Sequence, residues 1–169
     1  GDLSEVIGQH EAVDALVTAA AGGHHLLMCG PPGAGKTMLA SRLPGILPDL
    51  DDAAALEVSS IRSLSGIGIN GLVREPPFES PHHSASVAAL VGGGSRVVRP
   101  GAIARATNGV LFLDEAAEFA SSALDALRQP LETGAITIHR SGVTAAFPAR
   151  FQLVMATNPC PCGNYGVPG

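Results

Sequence analysis

A glycine-rich segment at residues 30–37 constrains the fold of this chain more than any other part of its sequence. The segment reads G-x-x-x-x-G-K-T, a spacing that lets the backbone curl until successive N–H groups point inward at phosphate oxygens. A short apolar run precedes it at residues 25–29, and apolar positions at helical spacing follow it. This order of strand, loop and helix suits phosphate binding, because the helix directs its positive dipole end at the anion. The alternative is an ordinary Gly/Pro turn.

The predicted loop is expected to contact both the phosphates of a nucleotide and its metal ion. Lys36 can bring a positive charge to the outer phosphates of a nucleotide, and the Thr37 hydroxyl is placed to bind Mg²⁺. An apolar lead containing Val6 and Ile7 precedes the first predicted helix and either closes over an adenine base or only packs. The predicted nucleotide-binding residues are Val6, Ile7, Gly30, Pro31, Pro32, Gly33, Ala34, Gly35, Lys36, Thr37 and Met38.

A second apolar run ends in two carboxylates, Asp114 and Glu115. Ligands gather at the carboxyl ends of the strands in a parallel sheet, so we expect Asp114 beside Thr37 and the Mg²⁺. Glu115, one residue further on, can face the γ-phosphate and polarise the attacking water as a general base. The alternative is a pair of surface acids that cap a strand.

A third apolar run, residues 151–157, ends at Asn158. At the end of a neighbouring strand, the Asn158 amide can hold the attacking water or a γ-phosphate oxygen, although an asparagine after a strand is often only a turn residue. With the glycine loop and the acidic pair, it completes an ATPase site. The predicted catalytic residues are Lys36, Glu115 and Asn158, and the predicted metal ligands are Thr37 and Asp114.

Composition limits the classes of protein to which this chain can belong. A chain of 169 residues with 46% hydrophobic and 15% charged residues forms one domain with a sizeable core. It contains no apolar run approaching the ~20 residues that cross a membrane and does not open like a signal peptide, so we expect a cytoplasmic location. A net charge of −5 argues against a globally basic nucleic-acid binder. It leaves open DNA contact through a few basic residues on loops.

Four basic residues lie on two predicted loop elements and are either solvated surface charges or contacts to a DNA backbone. These candidates are Arg96, Arg99, His139 and Arg140.

Three cysteines, an odd number, argue against a disulfide framework. We expect Cys29 to be a small buried residue of the first strand. Cys160 and Cys162 alone cannot complete a tetrahedral zinc site, so zinc would require ligands beyond the chain end. His82 and His83 are adjacent, and in a strand their side chains would point in different directions, which favours structural or hydrogen-bonding roles over a shared metal.

The rest of the chain predicts helices around a parallel sheet, with one helix interrupted by an inserted loop. Asp51 is predicted to cap a helix, and a hairpin is predicted around the turn at Ser141 and Gly142. The other predicted helical segments are residues 11–17, 84–90, 121–131 and one that resumes near Pro100.

Longer segments of the sequence distinguish one protein family from another better than the glycine loop does. The stretch at residues 77–86, which contains His-His-Ser, and the three glycines at 92–94 discriminate best, and residues 108–115, 127–132 and 147–154 extend the pattern. Together with residues 30–37, these segments resemble the AAA+ ATPases, and more narrowly the magnesium-chelatase-like family of bacterial ComM/YifB proteins. The resemblance covers nearly the whole chain.

The resemblance implies an α/β fold: a three-layer αβα P-loop NTPase core of the AAA+ type. It implies a helix-2 insert at residues 92–100 and a β-hairpin at residues 135–147 before sensor 1. Residues 30–37 resemble the Walker A loop, residues 114–115 resemble Walker B and Asn158 resembles sensor 1. A hexameric ring that uses ATP and Mg²⁺ to drive DNA remodelling or branch migration is the implied function.

The sequence departs from the family pattern in two places. Ala116 and Ala117 replace the Leu-Pro that usually follows the acidic pair. We interpret residues 1–169 as an AAA+ core truncated after sensor 1, so the arginine finger, sensor 2 and helical lid are expected beyond Gly169, and the isolated product should bind nucleotide weakly. Two alternatives are the ATPase subunit of a metal chelatase complex and a nucleotide-binding module without activity.

Overall fold

The computed structural model of this chain describes residues 9–94, 97–140 and 142–159, with only the backbone of Arg140. None of the described helices combines the length and the apolar composition that crossing a membrane requires. Five residues with predicted roles lie outside the described part and keep the status of predictions: Val6, Ile7, Arg96, Cys160 and Cys162.

The helices of the described part are mostly short. The helix that begins at Asp52 is capped as the sequence predicts, because the Asp51 carboxylate accepts a hydrogen bond of 2.8 Å from the Ala54 N–H; such caps contribute about 1 kcal/mol. The helices are α1 (His10–Gly22), α2 (Lys36–Arg42), α3 (Asp52–Leu64), α4 (Val87–Val91), α5 (Ala102–Arg105), α6 (Ser121–Asp125) and α7 (Arg128–Thr133).

The strands form one parallel sheet and two antiparallel ribbons. The strands are β1 (Leu26–Cys29), β2 (Phe78–Glu79), β3 (Gly92–Gly93), β4 (Arg99–Pro100), β5 (Val110–Leu113), β6 (Ala135–Arg140), β7 (Val143–Pro148) and β8 (Gln152–Thr157).

The parallel sheet has the strand order β1-β8-β5-β2. Leu26 of β1 pairs with Val154 of β8, and Phe112 of β5 pairs with the same Val154 from the other side. Parallel neighbours need crossover connections, which helices supply here. Because all the strands run in the same direction, the carboxyl ends of β1, β8 and β5 meet at one edge of the sheet.

Helices cover both faces of this sheet at its central strand β5, which gives three layers. Along β5, Val110 and Phe112 face a cluster with Leu16 of α1, whereas Leu111 and Leu113 face a second cluster that includes helices α3 to α6. All four β5 residues are at most 2% exposed, as expected for a strand with both faces covered. The predicted α/β fold with a three-layer core and a parallel sheet is confirmed.

The prediction that β1 is a buried strand is wrong. Its residues alternate between partly buried and exposed positions, and Leu27 is 61% exposed. Leu26 and Met28 pack on the cluster that holds Leu16, while no described element covers the opposite side of this outermost strand. Cys29 lies on that side and is exposed, so the expectation of a buried cysteine is also wrong.

The predicted helix over residues 121–131 is two helices, α6 and α7. Pro130 explains the break. A continuous helix would need a hydrogen bond from the residue at position 130 to the Ala126 carbonyl, and proline has no N–H to donate. Proline is tolerated near the beginning of a helix, and Pro130 is the third residue of α7.

The predicted starts of two helices are too early. The segment at residues 84–90 becomes helical only at Val87, because the Ser86 hydroxyl accepts a hydrogen bond of 3.1 Å from the Ala89 N–H and caps α4 there. Pro100 lies in β4, paired with Gly92, and α5 begins two residues later. The insert predicted between these helices is therefore the β3–β4 ribbon with its connecting residues.

The predicted hairpin before the last strand is present as β6 and β7, paired from Ala135–Pro148 to Arg140–Val143. Its buried face contributes Ile136, Ile138 and Phe147 to the same cluster as Leu111 of β5. The hairpin also touches the insert, since a Cβ on Gly92 would lie 2.9 Å from Ile138 Cδ1. The hairpin and the insert are thus packed together on the core.

Gly109 allows the closest backbone approach next to the central strand. A Cβ on this residue would lie 2.1 Å from the Pro77 carbonyl oxygen. The same oxygen accepts a hydrogen bond of 2.8 Å from the Val110 N–H. A side chain at this position would therefore push β2 away from β5.

We expect Gly109→Ala to lower the free energy of unfolding by about 1–3 kcal/mol, in the range of other overpacked sites. Gly68→Ala is a matched control, because a Cβ there meets nothing within 4 Å. Urea denaturation of both variants tests this. Equal stability of the two variants would contradict the close approach.

Candidate functional site

The glycine-rich loop follows β1 directly. The Gly30 N–H donates a hydrogen bond of 3.2 Å to the Thr157 carbonyl of β8, which fixes the start of the loop at the edge of the sheet. At its end, Gly35 adopts φ 79°, a left-handed conformation that glycine reaches at little cost. The loop and Met38 therefore have a defined shape. Gly30, Ala34, Gly35 and Lys36 are partly buried, and Pro31, Pro32, Gly33, Thr37 and Met38 are exposed.

Lys36 lies inside this loop. Its Nζ donates hydrogen bonds to the Gly30 carbonyl at 2.5 Å and the Pro31 carbonyl at 2.9 Å. A third bond of 3.0 Å reaches Oδ1 of Asn158, which is 122 residues away in sequence. The structure thus brings the predicted lysine and the predicted asparagine together.

Thr37 and Asp114 are also in contact. The Thr37 hydroxyl donates a hydrogen bond of 2.5 Å to Oδ2 of Asp114. The other carboxylate oxygen, Oδ1, accepts a bond of 2.9 Å from the Glu115 N–H. The predicted metal ligands therefore lie side by side at the carboxyl ends of β1 and β5.

Glu115 has an unusual backbone conformation, with φ 51° and ψ 48°. Few residues other than glycine adopt these angles, and such strain tends to occur at functional sites, with a cost of about 1–3 kcal/mol. Its side chain is 54% exposed, and Oε2 lies 3.4 Å from Nε2 of His83. The carboxylate is thus accessible to solvent and held beside an imidazole.

His83 lies beside the predicted site, next to Glu115, and the sequence did not indicate this position. Residues 82–84 form a turn after β2 instead of a strand, so the prediction that the two histidine side chains point in different directions is wrong. The rings of His82 and His83 lie 4.1 Å apart, and His82 Nδ1 is 2.8 Å from the Ser84 hydroxyl. Within the part of the chain that the structure describes, no group of three metal-ligating side chains forms.

The remaining candidates lie away from the strand ends. Arg99 is exposed in β4, with Nη1 about 3.6 Å from the position of a Cβ on Gly66. His139 is exposed in β6 and its Nδ1 lies 3.1 Å from the Thr144 hydroxyl. Arg140 ends β6. The structure thus places these three residues on the insert and the hairpin and not with Lys36, Asp114 and Asn158.

Three bacterial proteins are similar to almost all of this chain. It is 60% identical to the uncharacterized protein Rv2897c of Mycobacterium tuberculosis over 163 residues, an alignment that covers 95% of this chain. It is 57% identical to the competence protein ComM of Haemophilus influenzae and 54% identical to the uncharacterized protein YifB of Escherichia coli, in both cases over 165 residues and 97% of the chain. The chain spans 32% of the length of each of these relatives.

The fold is similar to that of a solved magnesium chelatase. A chain from the cryo-EM-based complex between its subunits BchI and BchD superposes with a TM-score of 0.69, at 26% sequence identity. The match covers 91% of this chain and 53% of the chelatase chain. The comparison supports an AAA+ architecture for the sheet and its helices.

A family model described as magnesium chelatase, subunit ChlI, matches residues 2–169. The match spans the glycine-rich loop, the acidic pair and Asn158 together with the insert and the hairpin. The chain therefore belongs to the magnesium chelatase subunit ChlI family, and within it resembles the ComM and YifB proteins.

Proposed function

We propose that this chain is the ATP-binding and ATP-hydrolysing core of an AAA+ motor. The observation that carries the proposal is the meeting of four side chains at the ends of three adjacent strands. Lys36 follows β1 and reaches Asn158 after β8, while Thr37 reaches Asp114 after β5. Cation, hydroxyl, carboxylate and amide are the groups that phosphoryl transfer uses for positioning and charge stabilisation.

The residues present fit a magnesium nucleotide. Mg²⁺ is commonly held by one or two protein oxygens together with phosphates and waters, and the Thr37 hydroxyl and the Asp114 carboxylate supply oxygens of this kind. The Gly35 N–H has no protein acceptor among the described residues, so it is available to a phosphate oxygen. In this proposal, Thr37 and Asp114 hold the metal, and residues 30–37, which correspond to Walker A, hold the phosphates.

In this proposal, three side chains take part in ATP hydrolysis. Lys36 exchanges its bonds with the Gly30 and Pro31 carbonyls for oxygens of the outer phosphates. Glu115, in the Walker B position, accepts a proton from the attacking water as a general base. Asn158, in the sensor 1 position, orients that water or a phosphate oxygen. The bound metal supplies charge neutralisation at the transferred phosphate.

The proposal includes DNA remodelling or branch migration by a ring of subunits in the cytoplasm. Similarity to the competence protein ComM supports it. The packed insert and hairpin, with basic residues at Arg96, Arg99, His139 and Arg140, are the proposed DNA contacts. We further propose that the arginine finger, sensor 2 and lid belong to the remainder of a longer protein, since the chain spans 32% of ComM.

A second candidate is the ATPase subunit of a magnesium chelatase complex. Its support is 28% identity to the magnesium-chelatase 38 kDa subunit of Rhodobacter capsulatus over 93% of the chain, together with the BchI–BchD similarity. Affinity purification distinguishes the two: capture of a large porphyrin-binding subunit favours the chelatase, and hydrolysis stimulated by DNA favours the remodelling motor. A protein that binds ATP without turnover in either assay would be a nucleotide-binding module.

Lys36→Ala should weaken binding of ATP to the full-length protein about 10- to 100-fold, because a hydrogen-bonded charge contributes about 1.5–3 kcal/mol. Isothermal titration with ATP measures this. Arg128→Ala serves as the control, since that exposed arginine pairs with Asp125 on α6. Unchanged ATP affinity in Lys36→Ala would contradict the proposed phosphate site.

Glu115→Gln should keep ATP binding while hydrolysis falls about 10²- to 10⁴-fold, the usual contribution of a general base. The substitution keeps the size of the side chain and removes its basicity. Glu118→Gln, an exposed glutamate three residues further on, is the matched control. Phosphate release and ATP titration are measured on both, and equal loss of binding and hydrolysis in Glu115→Gln would exclude the base role.

The DNA assignment is tested with Arg96→Ala, Arg99→Ala and Arg140→Ala combined in the full-length protein. If these side chains neutralise DNA phosphates, DNA binding weakens and its salt dependence decreases, by a slope of about 0.7–0.9 for each phosphate that is no longer neutralised. A variant combining Arg62→Ala with Arg128→Ala removes positive charge elsewhere. The DNA role is wrong if the triple variant retains parental DNA affinity and DNA-stimulated hydrolysis.

A further inference from the structure

Gln9 contacts the glycine-rich loop from outside. Its Nε2 donates a hydrogen bond of 2.6 Å to the Ala34 carbonyl, which lies 25 residues further along the chain. Gln9 is partly buried and precedes α1, but its side chain makes no capping bond to that helix. Its own carbonyl accepts a bond of 3.0 Å from the Val13 N–H. Helix α1 thus fixes the backbone of Gln9 and leaves its amide group directed at the loop.

The bond from Gln9 fixes the orientation of one peptide unit in the loop. In a trans peptide, the C=O and the following N–H point in opposite directions. With the Ala34 carbonyl held by Gln9, the Gly35 N–H points to the other side of the loop, where no described residue accepts its hydrogen bond. That N–H is one of the donors assigned above to a phosphate oxygen.

Gln9 also packs against the residue that it orients. A Cβ on Gly35 would lie 3.3 Å from Gln9 Nε2 and 3.5 Å from Met38 Cε. The left-handed conformation of Gly35 is therefore enclosed by two side chains, one from before α1 and one from α2. Rotation of the 34–35 peptide would break the hydrogen bond to Gln9 and disturb this packing.

We propose that Gln9 is a positioning residue that holds the 34–35 peptide with its N–H directed at the phosphates of a nucleotide. The inference rests on the proposed nucleotide site and adds a residue to it from outside the loop. Without Gln9, the loop must order this peptide when the ligand binds, and the cost of that ordering lowers affinity. The effect applies to ligands with phosphates at the loop and not to the nucleoside.

The test compares Gln9→Met with the parental full-length protein. Methionine has a similar length and no amide donor, so the Ala34 carbonyl loses its partner. We expect ADP and ATP to bind about 3- to 10-fold more weakly, which corresponds to the loss of one hydrogen bond, while adenosine binds as before. In steady-state hydrolysis, the KM for ATP rises by a similar factor and kcat changes less than twofold.

Two further variants separate positioning from a general loss of structure. Gln9→Glu places a carboxylate against the Ala34 carbonyl oxygen, so we expect it to weaken ADP binding more than Gln9→Met does. Glu11→Gln, an exposed substitution in the first turn of α1, should bind ADP as the parent does. Thermal unfolding of each variant without nucleotide shows whether it is folded. Gln9→Ala replaces Gln9→Met if the latter does not fold.

Two results would overturn the inference while the proposed function stands. One is parental ADP and ATP affinity in Gln9→Met, and the other is an equal loss of adenosine binding, which would make Gln9 a contact to the base. If the parental protein binds neither ADP nor ATP, both the inference and the proposed function are wrong.

Discussion

The parallel alignment of β1, β8 and β5 is the constraint on which the rest of the structure depends. It places the residues that follow these strands at a single edge, where Lys36 reaches Asn158 and Thr37 reaches Asp114. An antiparallel neighbour would send one of these residues to the opposite edge. The same alignment requires helices on both faces, which accounts for the two apolar clusters on either side of β5.

The polar side chains at this edge satisfy one another. The Lys36 ammonium makes three hydrogen bonds, to two loop carbonyls and to the Asn158 amide oxygen. Asp114 accepts one bond on each carboxylate oxygen. A nucleotide would therefore exchange existing bonds for new ones, and its net affinity would be smaller than the sum of its contacts. Gln9 contacts the loop at the Ala34 carbonyl, on the side of the 34–35 peptide opposite the Gly35 N–H.

The insert and the hairpin share the core of the candidate site. Ile136, Ile138 and Phe147 of the hairpin lie in the same apolar cluster as Leu111 and Leu113 of β5, the strand that ends at Asp114. The turn between β2 and the insert also contacts the candidate site, because His83 of this turn lies beside Glu115. Close-packed cores transmit displacement instead of absorbing it. The proposed DNA contacts and the proposed nucleotide site are therefore connected through one packed core.

Patterns within single segments predicted much of this structure. The glycine spacing at residues 30–37, the apolar run of β5, the cap at Asp51 and the hairpin around Gly142 are local properties, and each indicates its own structure without reference to the rest of the chain. The expectation that the three strand ends meet needed only the rule for parallel sheets, because strands joined by helices run in the same direction.

Only the tertiary structure decided which neighbour each segment has. Leu27 and Cys29 are exposed although the run looks buried, because no described element covers their side of β1. The turn after β2 brings His83 to Glu115. Gln9 meets Ala34 because α1 packs beside the loop. The sequence by itself determined the local chemistry of the loop, the acids and the asparagine. Contacts between segments far apart in sequence depend on strand order and helix placement, and no local pattern encodes these.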